Sequence, residues 1–147
     1  MKFGLFTGIL FLFVACNNTG ESGPAAKTKA DSLMDEVIEG HNVAMAKMSK
    51  INTAKNNLQQ VIDSISKLPT DLQKKSLTYS MQLDSTINRL TFANYGMEKW
   101  MNEFNMDSFK NDKEEQIKYL ESEKLKITRV NEIMVNSLQK ADSLLKK

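Results

Sequence analysis

Cysteine is nearly missing from this chain. Cys16 is the only one, so it has no partner within the sequence for a disulfide, and no set of thiolates exists to hold zinc. Histidine is equally scarce, with His41 alone. An activated nucleophile, or a matched acid and base in a pocket, therefore has little to be built from. No glycine-rich loop follows a strand to cradle phosphate, and the expectation is a protein that is not an enzyme. From Asp31 onward glycine and proline are reduced to Gly40, Pro69 and Gly96, and no strand signal is present, which points to a single helical domain. Charge of one sign is lacking too. With 20 basic and 18 acidic residues, neither nucleic acid nor a polybasic membrane patch is expected as the main partner, while a protein partner stays open.

The long apolar run is at the start, from Phe3 to Ala15 behind Lys2. As a helix it would span only ~20 Å, against a hydrocarbon core of ~30 Å, so it reads as a secretory signal covering residues 1–15 rather than a membrane span. It ends "LFVAC", with the small Ala15 directly before Cys16. This resembles the lipobox of bacterial lipoproteins, with Phe13 where leucine is commonest. The resemblance implies that the peptide is cut before Cys16, that the thiol carries a diacylglyceryl group, and that the new amino group is acylated. Several acyl chains, at ~0.8 kcal/mol per buried methylene, would anchor the chain to a membrane durably. Residues 16–30 then form a polar tether with no apolar period, "NNTGESGPAAKTKA" after the cysteine, able to reach ~45 Å. Asn17 stands where inner-membrane lipoproteins often carry aspartate; by analogy with those sorting rules the expected location is the periplasmic face of the outer membrane.

Residues 31–147 carry apolar side chains every three or four positions, in three segments. The first, about 30–67, has its seam at Met34, Val37, His41, Ala44, Met48, Ile51, Lys55, Leu58, Ile62 and Ile65. Pro69 ends it, and Thr70 is the expected N-cap of the second, about 70–105, with Leu83, Ile87, Leu90, Asn94, Met97, Met101 and Phe104. After a polar break where Asp107 or Asn111 could cap, the third, about 111–146, shows Ile117, Leu120, Lys124, Ile127, Asn131, Met134, Leu138, Ala141 and Leu145. The fold expected is all-α, three long helices in an antiparallel coiled-coil-like bundle. Polar seam positions such as Lys55, Asn94, Lys124 and Asn131 would help fix register. A long hairpin completed by homo-oligomerisation is the alternative.

Antiparallel pairing about Pro69 makes the numbers of facing residues sum to about 138, within ~4. His41 then faces Met97, in the stretch "GMEKWM", and reflection about residue 108 brings Tyr119 and Leu120 to the same height. One reading of this level is packing: methionine fills irregular gaps between helices, and Tyr119 offers a hydroxyl to His41. The other is a copper(I) site, since thioethers and imidazole suit that ion; the candidate ligands are His41, Met45, Met97 and Met101, with Trp100 as a cation–π cap. This ligand set is similar to that of small periplasmic copper chaperones of different fold. No other cofactor is expected. The acidic runs "DKEEQ" and "ESEK" read as a solvated face with lysines close enough to pair, and the terminal Lys147, in the place where some lipoproteins join peptidoglycan, reads as a helix-end lysine.

With these stretches on facing helices, the chain resembles a family of short Bacteroidetes lipoproteins often labelled "viral A-type inclusion protein". The likeness is carried by Asp35, Glu36, Val37, His41, Met45, Lys47 and Met48 on the first helix and by Trp100, Met101 and Phe104 on the second; Ala46 stands where the family commonly has proline. The label implies no viral function. Together these readings lead to the expectation of a lipid-anchored envelope protein that binds another protein or serves as a structural element, with copper(I) handling as the alternative.

Overall fold

The computed structural model describes residues 27–146, so the expected signal, Cys16, most of the tether and Lys147 lie outside the described residues. Four helices follow in order: α1 Lys29–Ser66, α2 Thr70–Lys75, α3 Leu77–Glu103 and α4 Lys113–Leu145. The chain is all-helical across the described residues, and α1, α3 and α4 form the bundle.

Each start and stop has a local cause. Thr28 opens α1 with a reciprocal box: the Asp31 N–H donates to the Thr28 hydroxyl at 3.2 Å and the Thr28 N–H donates to the Asp31 carboxylate at 3.1 Å. The Thr28 hydroxyl, which donates to the Asp31 carboxylate at 2.8 Å, and then the Thr28 N–H hold that carboxyl below its ordinary range. Pro69, lacking an N–H and disfavouring helix at Leu68, ends α1. It also takes the N-cap place of α2, so Thr70 is the first helical residue rather than the expected cap. The Gln73 side-chain amide closes the turn by donating to the Ser66 carbonyl at 2.9 Å and the Leu68 carbonyl at 2.7 Å.

The single second helix expected over 70–105 is in fact two, broken at Ser76. None of the six residues of α2 is buried, so no apolar face holds it in line with α3, and the Gln73 bonds tie it to the end of α1 instead. At the far end of α3, Asp112 rather than Asp107 or Asn111 caps α4, accepting from the Glu114 and Glu115 N–H groups at 3.1 Å each.

Consecutive long helices run antiparallel, which leaves α1 and α4 parallel. Lys29 pairs with Glu121, Glu36 with Lys124, and Gly40 meets Ile127 and Asn131 along that pair. The core is one stripe per helix with sevenfold spacing: Val37, Ala44, Ile51 and Leu58; Leu83, Leu90 and Met97; Leu120, Ile127, Met134 and Ala141, each at most 1% exposed. All eleven belong to the expected seams.

The second stripe is shifted by one residue on every helix. In place of His41, Lys55, Asn94, Met101, Lys124 and Leu138, the buried positions include Leu33, Ala54, Thr86, Ala93, Trp100, Glu123, Ser137 and Leu144. Many of these side chains are small, which lets the helices approach; the bulkier neighbours lie half-buried along the edges between helices. Gly40 is the extreme case, because a Cβ there would sit 2.9 Å from Ile127 Cγ2.

Three polar positions of the expected seam do link helices. Lys124 pairs with Glu36, and Asn94 donates to the Asn52 side chain at 3.0 Å. Asn131 donates to the Gly40 carbonyl at 2.7 Å and accepts from the Lys47 ammonium at 3.1 Å, and Lys47 also reaches the Val43 carbonyl at 2.9 Å. Burial pushes the Lys47 pKa down. Asn131→Ala leaves this half-buried ammonium without its side-chain acceptor, and urea unfolding is expected to show a loss of about 1–3 kcal/mol.

Candidate functional site

The site with the most varied chemistry is a cavity of about 470 Å³ between the first third of α1, the end of α3 and the loop after it. Ile38 and His41 line it from α1, three residues apart and hence on one face. Trp100 and Met101 close it from α3 together with Phe104 at the C-cap of that helix, and Asn105, Met106 and Asp107 form the rim. The loop is held rather than free: the Asn105 N–H donates to the Tyr119 hydroxyl at 2.8 Å and the Asp107 N–H to the Asn105 side-chain carbonyl at 2.9 Å. Phe109 adopts the left-handed backbone conformation, at φ 58°, which turns the chain toward α4.

A column of aromatic rings sets the position of Trp100. Its indole stacks on Phe104 at 4.7 Å between centroids and 13° between planes, Phe104 lies 6.2 Å from Tyr119, and Tyr119 lies 5.8 Å from Phe109. The His41 ring is 5.8 Å from Trp100 at 36°. Trp100 is 5% exposed and its indole N–H has no hydrogen-bond partner among the described residues, so among them packing orients the ring.

His41 Nδ1 is 3.2 Å from the Asn42 side-chain carbonyl oxygen. A carbonyl only accepts, so the neutral tautomer protonated at Nδ1 is the one that makes this bond, and in it the lone pair is on Nε2. Asp107, the carboxylate on the rim among the described residues, pairs with Lys110 at 2.5 Å, with both side chains exposed to solvent.

The expected layer is therefore redrawn. His41 meets Trp100, one turn beyond Met97. The reflection centre between α3 and α4 moves from residue 108 to about 112, so Tyr119 stands beside Phe104 and serves the Asn105 N–H rather than His41. Of the four candidate ligands, His41 and Met101 line the cavity together. Met97 is fully buried in the core and Met45, on α1, is 41% exposed; neither is among the lining residues. Met106, 55% exposed, lies on the rim although in sequence it falls within the polar break after the second segment; the run of Trp100, Met101, Phe104 and Met106 is its signal there.

Elsewhere, the acidic runs of α4 are tied to lysines, with Lys118 bridging Glu114 and Glu115, and Lys126 donating to the buried Glu123 at 2.7 Å. Among the described residues, no three His, Cys, Asp or Glu side chains gather as a metal site, and no helix is long and apolar enough to cross a membrane. The chain matches no protein-family model, no curated protein and no solved structure.

Proposed function

We propose that the chain is a non-enzymatic, lipid-anchored protein of the bacterial cell envelope. Cys16 holds it on the periplasmic face of the outer membrane, and its helical bundle is presented to a protein partner. The observation that carries the interaction part is the outer face of α3. Leu77, Met81, Phe92 and Tyr95 are 59%, 65%, 61% and 58% exposed. At 3.6 residues per turn they fall opposite the buried stripe of Leu83, Leu90 and Met97, as two exposed apolar patches, Leu77 with Met81 and Phe92 with Tyr95, with Asp84 and Asn88 between them. The anchor rests on the apolar run, Ala15 and Cys16, and the likeness to the Bacteroidetes lipoproteins agrees with it.

Fractionation of cells tests the anchor. The wild-type chain is expected in the membrane fraction and Cys16→Ala in the soluble one; attachment that survives this substitution defeats the reading. A photo-crosslinker at Tyr95 tests the contact face, with one specific envelope protein expected and its capture lost in Phe92→Ser. Capture that is unchanged by Phe92→Ser would place the contact elsewhere.

A further inference from the structure

The cavity at His41 joins donors that a purely scaffolding role leaves unused. We infer that it binds a soft monovalent cation, Cu(I) or its analogue Ag(I), with His41 Nε2 and the thioethers of Met101 and Met106 as ligands and the Trp100 indole as the π-face beside the ion.

Three separate elements supply the donors: α1 gives His41, α3 gives Met101, and the α3–α4 loop gives Met106. The bond from Nδ1 to Asn42 is the second-shell contact that leaves Nε2 free for a metal. The indole centroid is 5.8 Å from the imidazole, so an ion about 2 Å from that nitrogen and on the side of Trp100 falls within the roughly 6 Å over which a cation is attracted to a ring. Phe104 supports the other ring of this contact and fixes its plane.

The choice of ion follows from the donors. Thioethers are neutral and polarisable and favour Cu(I), whereas Zn(II), Mg(II) and Ca(II) need thiolate, further imidazole or carboxylate oxygens. Among the described residues the rim holds one carboxylate, Asp107, and it pairs with Lys110. Met101 is 36% exposed and Met106 55% exposed, and both have three rotatable bonds, so the sulfurs can close on an ion from solvent without disturbing the core. Met106 thus takes the place that the sequence pattern assigned to Met97 and Met45.

The test uses the full chain carrying Cys16→Ala, so that no thiol competes. Ag(I), and Cu(I) buffered by a chromophoric chelator under reducing conditions, are titrated while tryptophan emission is followed; Trp100 is the single tryptophan, so the signal is local to the site. Emission is expected to change and saturate at one ion per chain, with no response to Zn(II). Met101→Leu, Met106→Leu and His41→Gln should each weaken binding by about tenfold or more. Met45→Leu and Met97→Leu should leave it unchanged. Methionine to leucine conserves volume, and helix content by circular dichroism separates lost binding from lost folding. No saturable response in the parent chain overturns the inference. So does retained affinity in a folded Met101→Leu, Met106→Leu double variant, or an equal loss from Met97→Leu.

Discussion

Gly40→Val is expected to destabilise the bundle by about 3 kcal/mol or more, enough to lower its melting temperature by about 10 °C. Alanine at this position would already place Cβ 2.9 Å from Ile127 Cγ2 and 3.3 Å from Cγ1. Ile127 is 1% exposed and branched at Cβ, so it has no free rotamer to retreat into. Valine adds two methyl groups at the same point, and relief requires α1 and α4 to separate. Separation in turn stretches the 2.7 Å bond from Asn131 to the Gly40 carbonyl. Gly40→Ala is milder, since a gain of about 1 kcal/mol in helix propensity offsets part of an overpacking penalty of about 1–3 kcal/mol. Ile127→Leu removes the offending methyl from Cβ, so a double-mutant cycle of Gly40→Ala with Ile127→Leu should show coupling above about 0.5 kcal/mol. Strict additivity in urea unfolding would mean that this close approach does not limit the position.

The second large effect separates burial from residue size. Leu90→Ala should cost about 2–5 kcal/mol, because Leu90 is 0% exposed and its removal leaves a cavity where α1, α3 and α4 meet. Phe92→Ala deletes more atoms only two residues away, yet should stay within about 0.5 kcal/mol of the wild type, since Phe92 is 61% exposed. Equilibrium unfolding of the two variants under one set of conditions decides the matter. A large loss from Phe92→Ala would mean that its ring is covered in the folded protein, and would move the α3 contact face from a docking surface to part of the core.

These expectations depend on which positions the periodicity revealed and which it hid. Val37, Ala44, Ile51 and Leu58, with Leu90 and Met97 and with Ile127 and Met134, were legible because spacing by seven and apolar character coincide there. The companion stripe was not. Its members include Gly40, Lys47, Ala54, Thr86, Ala93, Glu123 and Ser137, and a pattern that rewards apolarity moves to their bulkier neighbours Met48, Ile87 and Leu138. Close helix approach selects small side chains, and smallness has no hydrophobic signature. The meeting of His41 with Trp100 was legible to within a turn, because antiparallel pairing needs only the location of Pro69. Met106 was not, because its place is set by the Asn105 turn and the left-handed Phe109, neither of which has a period.

Three long passes are an odd number, and the ends of such a rod are unlike. α1 enters at the pole where the α3–α4 loop and the His41 cavity lie, and at 38 residues it carries the chain about 55 Å to the other. There α4 stops beside Tyr79, whose hydroxyl donates to the Leu144 carbonyl, while the α1–α3 hairpin continues past it with Leu68, Leu72 and Leu77 uncovered. A chain gripped upstream of Lys29 would therefore hold its histidine close to the point of attachment and extend a leucine-rich tip outward, so that one molecule addresses two distances at once.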